Sequence, residues 1–222
     1  MSMEDGKKGA RPAVDAAAVS RRTLMAAAGC SVALMGLGAL KYAGTPAQLR
    51  PPGGQDEERL MAACIRCQKC FGACPRRIIV PAKLESGVLS VRTPVLSFDD
   101  SYCDWCAEEN GGVPLCVSAC PTEALHLPPE ATAEKTIIGM AKIDQKTCLA
   151  FRDTGCRYCY DACPYDAIEL RTDDGTNPRP YIIEDRCNGC GACESVCVSL
   201  TAGALASSAS ERAVVIRPIE KA

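Results

Sequence analysis

The sequence predicts an α+β fold of short helices and short β-hairpins, preceded by one longer N-terminal helix. Three observations predict it. Sixteen of the seventeen cysteines fall into four groups between residues 64 and 197, so this part of the chain is a fourfold repeat. The segments between groups read as a short apolar strand, a polar turn and a second strand. Only three Phe and one Trp occur in 222 residues, so a core of aromatic side chains would be thin.

The first 47 residues are predicted to form an export signal. A polar stretch leads to "SRRTLM", and an uncharged, Ala- and Gly-rich span follows from residue 24 to residue 40. Arg21 and Arg22 before a weakly apolar span resemble a twin-arginine signal. The alternative is a short membrane anchor preceded by two ordinary basic residues, although the span is near the lower limit for crossing a bilayer. Cleavage at "TPA" and an uncleaved anchor both stay open.

A linker is predicted after the signal. Residues 48–63 contain "LRPPGG", whose prolines and glycines break regular structure, and then "DEERLMAAC", which predicts a short helix. The predicted organisation is a signal over residues 1–47, a linker and short helix over 48–63, and a cysteine-rich domain over 64–222. Cys30, the one cysteine outside the groups, is interpreted as a small apolar residue of the signal helix.

The four cysteine groups share their ending and differ in spacing. Three groups end in C-x3-C-P, whereas Val198 follows the last cysteine of the fourth. Nine residues separate the middle pair of the second group, and seven separate the first pair of the third. The groups are Cys64, Cys67, Cys70 and Cys74; Cys103, Cys106, Cys116 and Cys120; Cys148, Cys156, Cys159 and Cys163; and Cys187, Cys190, Cys193 and Cys197.

This spacing is typical of [4Fe–4S] clusters. A C-x2-C-x2-C run wraps three corners of one cluster, and the fourth cysteine ligates the other cluster of a pair. The proline then turns the chain away, and Gly189 and Gly191 are expected to let the backbone approach the sulfurs. Zinc sites usually show separated C-x2-C pairs, and disulfides between such close cysteines would be strained. We therefore predict four [4Fe–4S] clusters, with all sixteen grouped cysteines as iron ligands.

Composition and motifs exclude several function classes. The net charge of −2 offers no basic face of the kind that binds nucleic acid. A two-histidine Rieske site cannot form with His126 alone, and no C-x-x-C pair is followed by the His of a covalent haem site. No catalytic motif is present. Trp105, Tyr158 and Tyr160, which lie between ligands, are interpreted as loop packing or as shields against water.

An electron-transfer protein that catalyses no bond-changing reaction is therefore the first hypothesis. The second is a four-cluster subunit bound tightly to a molybdopterin reductase, which would co-purify with a large catalytic chain. The third is a scaffold in which the clusters only hold the fold. Reversible reduction of the clusters would argue against this third hypothesis.

Taken together, these features make the chain similar to the ferredoxin-type NapG/MauM family. The similarity runs from "SRRTLM" through "LRPPG" to "CNGCGACESVCV", roughly residues 20–200. It includes the C-x9-C gap of the second group, the C-x7-C gap of the third and Val198. The final segment, "LTAGALASSASERAVVIRPIEKA", is short and Ala/Ser-rich, and here the chain departs from a longer family tail.

The resemblance implies electron transfer outside the cytoplasm. Such proteins take electrons from a membrane quinol-oxidising partner and pass them toward a periplasmic reductase, here expected to be nitrate reductase. The expected location is the periplasm or the outer face of the cytoplasmic membrane, reached through the twin-arginine translocase. The alternative is an iron–sulfur subunit of another molybdopterin oxidoreductase or of a methylamine dehydrogenase system, because cysteine spacing does not separate these acceptors.

The pairing of the groups is predicted to be nested. "ALHL" and "AKIDQ" look like the best-matched hairpin, so the second and third groups would form one two-cluster unit, and the first and fourth the other. "RIIV" would then lie beside "YIIED". The predicted ligand sets are Cys103, Cys106, Cys116 and Cys163; Cys148, Cys156, Cys159 and Cys120; Cys64, Cys67, Cys70 and Cys197; and Cys187, Cys190, Cys193 and Cys74. The alternative is sequential pairing, first with second and third with fourth.

Overall fold

The computed structural model describes residues 20–43, 47–106, 108–172, 177–203 and 210–219. The basic stretch before Ser20 and most of the "TPA" sequence lie outside these residues. The chain divides into two compact units, Met1–Ala43 and Gly44–Ala222. Each unit is described by itself below.

The described part of the first unit is one helix. Helix α1 spans Arg21–Ala43 and begins directly at the paired arginines. Leu24, Met25 and Leu34 are more than 60% exposed, so no neighbouring element covers these apolar side chains within the described residues. No helix in the described part of the chain is both long and apolar enough to span a membrane.

The second unit is built from helices and strands of three to seven residues. Its described α-helices are α2 Glu57–Ala63, α3 Lys69–Ala73, α4 Leu115–Ser118, α5 Tyr158–Asp161 and α6 Ala192–Ser195. Its described strands are β1 Ile79–Pro81, β2 Pro94–Leu96, β3 Met140–Ile143, β4 Ile168–Arg171, β5 Arg179–Ile182 and β6 Val214–Arg217. Single 3-10 turns cover Leu84–Ser86, Val88–Ser90, Glu108–Asn110, Ala150–Arg152 and Glu184–Arg186, and one π-helical turn covers Ser199–Gly203. This confirms an α+β fold of short helices and short strand pairs.

Three antiparallel strand pairs organise these elements. Strand β1 pairs with β2, with Ile79 opposite Leu96, and this hairpin joins the first cysteine group to the second. Strand β4 pairs with β5, with Ile168 opposite Ile182, and joins the third group to the fourth. The strand–turn–strand pattern expected between groups is therefore confirmed between the third and fourth, whereas the placement of "RIIV" beside "YIIED" is wrong.

The third strand pair corrects another prediction. Strand β3, which contains "AKI", pairs with β6 near the end of the chain, and Ala141 lies opposite Ile216. The "ALHL" segment instead lies against the chain before the first group, where the His126 N–H donates to the Gly53 carbonyl at 3.0 Å. The prediction of an "ALHL"–"AKIDQ" hairpin is wrong because β6 pairs with all four residues of β3 and buries Val214 and Ile216 there.

The segment before α2 is packed into the second unit. Neither helix nor strand forms over "LRPPGG", as its prolines and glycines predict. Arg50, however, is only 2% exposed, and Pro51 and Pro52 are also fully buried. The Leu96 N–H donates to the Leu49 carbonyl at 2.8 Å, so this segment extends the β1–β2 hairpin at its β2 edge.

The Arg50 guanidinium holds this segment in place. It donates to both carboxylate oxygens of Glu57 in α2, through Nε at 2.8 Å and through Nη2. Its Nη1 donates to the Thr93 hydroxyl at 2.8 Å and to the Pro94 carbonyl at 2.9 Å. A buried charge costs stability unless it is paired and hydrogen-bonded, and these four bonds meet that condition.

We expect Arg50→Met to destabilise the second unit by about 3 kcal/mol, because it leaves Glu57, Thr93 and Pro94 without their shared donor. The measurement is the urea midpoint of the metal-loaded protein. The matched control is Lys142→Met, which removes an exposed 2.9 Å ion pair with Glu184 and should cost less than about 1 kcal/mol. Equal losses in the two variants would contradict the assigned role of Arg50.

Candidate metal centres

Four hollows in the second unit are each lined by four cysteines. We name them by the sets that line them. Hollow A has Cys64, Cys67, Cys70 and Cys120; hollow B has Cys74, Cys103, Cys106 and Cys116; hollow C has Cys163, Cys187, Cys190 and Cys193; hollow D has Cys148, Cys156, Cys159 and Cys197. Their atom-free volumes are about 370, 320, 300 and 330 Å³, part of each open to solvent. Each of the sixteen grouped cysteines lines one of these four hollows, and the hollows are similar in volume.

The nested pairing predicted from sequence is wrong. Cys74 lies with Cys103 and Cys106 and not with Cys187 and Cys190. Each hollow takes three cysteines from one group and the last cysteine of its sequence neighbour, the first group pairing with the second and the third with the fourth. The physical reason is the local hairpins, because β1–β2 and β4–β5 bring neighbouring groups together before any distant group can reach them.

The short helices place the third and fourth cysteines of every group between two hollows. Cys70 lies on α3 and Cys74 follows its last residue, and in α4, α5 and α6 the third cysteine likewise lies on the helix while the fourth lies two residues after its end. A spacing of four residues puts both side chains on one helical face. Helix α3 packs against α4, and α5 against α6, so hollow A adjoins hollow B and hollow C adjoins hollow D.

Left-handed backbone conformations turn the ligand loops around the hollows. Arg66 and Gln68 have φ of 57° and 65°, and Trp105 and Cys106 have φ of 67° and 35°. Such values are uncommon for residues other than glycine, and they redirect the chain within one residue. They allow cysteines that lie only three positions apart to line the same hollow.

Strand residues close the hollows with apolar walls. Ile79 and Leu96 of the first hairpin line hollow B, and Ile168 and Ile182 of the second line hollow C. Strand β6 contributes Ile216 to hollow C and Val214 to hollow D. An apolar shell of this kind controls solvent access and the local dielectric around a metal group.

Burial and mutual repulsion raise the pKa of the innermost thiols. Burial, and then the neighbouring thiols of the same hollow, raise the pKa of Cys70 and Cys159 to about 12. Burial raises the pKa of Cys103 to about 12 against an opposing backbone hydrogen bond, and the pKa of Cys190 to about 11. Four thiolates in one apolar space therefore need positive charge close by before all of them ionise.

Hydrogen bonds act in the opposite direction at the hollow edges. Burial alone would raise the pKa of Cys120, but donors from Leu125, Thr122 and Ala124 hold this pKa below its usual value. At the corresponding position of the third group, the Ala167 N–H donates to Cys163 Sγ at 3.3 Å. Hydrogen bonds to a thiolate stabilise its charge and, in iron–sulfur proteins, tune the potential of the bound group.

The donor set fits iron–sulfur chemistry. Four thiols surround each hollow, backbone N–H groups point at two of the fourth cysteines, Cys120 and Cys163, and the walls are apolar. Across the described residues, no three His, Cys, Asp or Glu side chains converge on a position that could hold a single metal ion.

A direct backbone contact joins hollow B to hollow C. The Cys103 N–H donates to the Cys190 carbonyl at 2.8 Å, so one ligand of hollow B touches one ligand of hollow C. Gly191 beside it has φ of 86°, and a Cβ there would lie 2.3 Å from the Phe98 ring. Gly189 likewise lies against Gly139. These glycines therefore leave room for neighbouring protein atoms, a role that the sequence analysis did not predict.

Several residues around the hollows were missed by sequence reasoning. Thr122 and Ser199 each follow a fourth cysteine by two positions, and the Ser199 hydroxyl lies 3.2 Å from Cys197 Sγ while accepting from the Ala213 N–H at 2.7 Å. Asn188 caps the fourth loop, since its side-chain oxygen accepts from the Cys190 N–H at 3.0 Å. The hydroxyl two residues after the last cysteine, in "CPT" and "CVS", was the available signal.

The other singled-out side chains occupy different environments. Trp105 is 7% exposed, whereas Tyr158 lines hollow D yet is 57% exposed. Tyr160 and His126 are exposed. Arg21 and Arg22 start helix α1 and are also exposed, and they lie in the other unit of the chain.

Comparisons with known proteins agree with this chemistry. Residues 154–200 match the family described as a 4Fe-4S dicluster domain, and residues 61–77 match a 4Fe-4S binding domain. The dicluster match contains three cysteines of the third group and all four of the fourth, while Cys148 lies before it. No solved structure matches the chain.

Curated relatives carry two names. The chain is 37% identical over 159 residues to the ferredoxin-type protein NapG of Escherichia coli, covering 68% of this chain and 66% of that protein. It is 35% identical over 156 residues to the methylamine utilization ferredoxin-type protein MauM of Methylobacillus flagellatus, covering 68% of this chain and 64% of that protein. For MauM of Paracoccus denitrificans, 32% identity extends over 193 residues, which are 81% of this chain and 84% of the relative. The chain thus spans 66% of the length of this NapG and 64% of the length of the first of these MauM proteins, and it belongs to the ferredoxin-type NapG/MauM family.

Proposed function

We propose that this iron–sulfur electron-transfer protein holds four [4Fe–4S] clusters, one in each of hollows A to D. The observation that carries the proposal is the division of sixteen thiols into four sets of four around hollows of similar size. When bound, such clusters supply one-electron redox chemistry at potentials set by hydrogen bonds, charge and exposure. The chain is an electron-transfer component and not a catalytic enzyme.

We further propose that the two halves act as tandem two-cluster units in the order A, B, C, D. Cys116 of hollow B lies close enough to Cys70 of hollow A for their charges to interact. Cys193 of hollow C is equally an electrostatic neighbour of Cys159 of hollow D. The Cys103–Cys190 hydrogen bond joins the two halves between hollow B and hollow C. The protein would position its ligands so that an electron accepted at one end can reach the other.

The proposed donor is a membrane quinol-oxidising protein, and the proposed acceptor is a periplasmic reductase, first of all nitrate reductase. Support comes from the NapG name of relatives at 37% identity, against 32–35% for those named MauM. Support for the extracytoplasmic location comes from Arg21 and Arg22 at the start of helix α1. The alternative acceptors, another molybdopterin oxidoreductase or a methylamine dehydrogenase system, would be identified by the protein that accepts electrons from the loaded chain.

Iron and sulfide analysis tests the number of clusters. Anaerobically purified protein should contain about sixteen iron and sixteen sulfide per chain, and its visible absorbance should bleach reversibly with dithionite. Zinc in place of iron, or far less iron, would contradict the proposal. Iron that cannot be reduced would instead favour a purely structural role for the clusters.

Paired cysteine variants test which thiols share a cluster. Cys74→Ser with Cys103→Ser removes two ligands of hollow B and should lower iron by about four atoms per chain. Cys74→Ser with Cys187→Ser removes one ligand each from hollows B and C, and both clusters should be lost or altered in the electron paramagnetic resonance spectrum. The nested pairing requires the reverse, with the second variant affecting one cluster and the first affecting two.

The paired arginines can be tested by conservative substitution. Arg21→Lys with Arg22→Lys keeps the positive charge but removes both arginines of the twin-arginine pair. Iron-loaded protein should then accumulate in the cytoplasm. Clusters are assembled in the cytoplasm, so a chain threaded unfolded through a membrane could not carry them. Lys7→Arg with Lys8→Arg is the matched control and should leave export unchanged. Unaltered export of the Arg-to-Lys variant would refute the twin-arginine proposal.

A further inference from the structure

The basic residues of the second unit are concentrated around the first cysteine group. Residues 64–93 contain six Lys or Arg and a single acidic residue, Glu85. The rest of the chain after residue 47 contains thirteen basic and twenty-three acidic residues, and residues 94–134 have no Lys or Arg at all. A small net charge for the whole chain therefore conceals a strong separation of charge.

Three of these basic side chains lie at or beside hollow A, and a fourth, Lys83, begins the loop that Arg66 contacts. Arg66 and Arg92 line it directly, and Lys69 lies between the ligands Cys67 and Cys70. All of Arg66, Lys69, Lys83 and Arg92 are exposed. Among the described residues, none of Lys69, Lys83 and Arg92 forms an ion pair, whereas Arg76 farther along pairs with Asp104 at 2.6 Å. The rim of hollow A thus presents positive charge to solvent.

The loop over residues 83–91 brings apolar side chains to the same rim. Hydrogen bonds between Ala82 and residues 92 and 93 close its base, at 2.9 and 2.8 Å. The Arg66 guanidinium reaches across and donates to the Leu89 carbonyl at 2.8 Å, which fixes the loop against the first ligand loop. Leu89 and Ile65 are each 64% exposed, so they are apolar surface beside an exposed ligand, Cys67.

We propose that this surface, the rim patch of Ile65, Arg66, Lys69, Lys83, Leu89 and Arg92, docks an electron-transfer protein with an acidic face. The inference rests on the proposed function, since it makes hollow A the end at which an electron is exchanged with that partner. Exposed apolar side chains next to charged ones are the composition expected of a transient interface, with an apolar centre and a polar rim. Complementary charge steers the encounter and raises its rate.

The opposite end of the proposed series has a different surface. Around hollow D the exposed Arg157 is paired with Asp161 at 2.7 Å, and Arg179 lies 3.5 Å from Asp153. Tyr158 is the large exposed side chain there. These two arginines lie beside carboxylates of opposite charge, unlike Lys69 and Arg92 near hollow A. Exposed Lys146 and Arg152 also lie near hollow D, so the contrast between the two ends lies in the apolar side chains Ile65 and Leu89 beside hollow A and in the fraction of basic residues that are paired.

An anionic membrane surface would also attract a basic and apolar patch. Membrane-surface binding normally uses an amphipathic helix that buries one apolar face in the lipid boundary. The rim patch is instead carried by a ligand loop, a five-residue helix and two 3-10 turns. Its exposed apolar side chains stand next to the exposed ligand Cys67, where a redox protein must approach. These observations favour a protein partner.

Binding of a strongly acidic plant-type [2Fe–2S] ferredoxin tests the inference. Affinity of the cluster-loaded full chain for this probe should be measured at low and high ionic strength by surface plasmon resonance. Lys69→Glu with Lys83→Glu reverses two exposed charges that do not line hollow A, and it should weaken binding roughly tenfold at low salt. The matched control, Lys135→Glu with Lys146→Glu, makes the same change in net charge on exposed residues outside the patch and should bind as the unaltered protein does. Leu89→Ser should also weaken binding, at high salt as well as low.

The outcomes separate this inference from the proposed function. Equal loss in both charge variants, or no binding by the unaltered protein, would overturn the rim patch as a docking site. Stronger binding to vesicles of phosphatidylcholine and phosphatidylglycerol than to the ferredoxin, abolished by the same Lys-to-Glu changes, would show a membrane contact and would also overturn it. Iron content of the same samples tests the clusters independently, because affinity is measured without electron flow.

Discussion

The crowding of four thiols into each apolar hollow is the constraint on which the rest of the structure depends. Burial and neighbouring thiols raise the pKa of Cys70 and Cys159 to about 12, so these groups hold their protons when no positive charge is near. Metal binding releases such protons and couples its free energy to folding. A chain with 5% aromatic residues has few large side chains for its core, and this coupling accounts for how it can remain folded.

The fourth cysteine of each group lines the hollow of the neighbouring group. The crowding of thiols therefore also fixes how neighbouring groups pack together. Helix α3 carries Cys70 toward hollow A and ends beside Cys74 at hollow B, so neither hollow can form without both groups. The same interlocking joins the third and fourth groups through α5 and α6. The halves are then joined by the Cys103–Cys190 hydrogen bond, by Phe98 against Gly191, by Arg212 hydrogen bonds to the Phe98 and Asp99 carbonyls, and by a shared hydrophobic core.

Local spacing made part of this fold predictable from sequence. The repeated cysteine groups and the turn residues between them predicted short hairpins, and β4–β5 formed as expected because its strands are neighbours in the chain. The β3–β6 pair was not predictable in this way, since two cysteine groups separate its strands. The burial of Arg50 was also not predictable, because arginine is usually exposed. Its hydrogen-bond partners, Glu57, Thr93 and Pro94, lie farther along the chain and meet it only in the folded structure.

For the candidate sites too, local sequence predicted some features, and others depended on contacts between distant parts of the chain. The motif identified the cysteines that line the hollows, whereas their grouping into four sets required the three-dimensional position of each hairpin. The charge separation around hollow A was present in the sequence, but the net charge of the whole chain averaged it away.

The central claim is that each hollow holds one cluster bound by two sequence-neighbouring groups. A crystal structure of anaerobically prepared protein, with an anomalous difference map at the iron edge, tests this most directly. We expect four groups of iron peaks, one for each cluster, with Cys74 Sγ bound to the same cluster as Cys103, Cys106 and Cys116. Iron density joining Cys74 to Cys187, Cys190 and Cys193, or four isolated single-metal peaks, would contradict it.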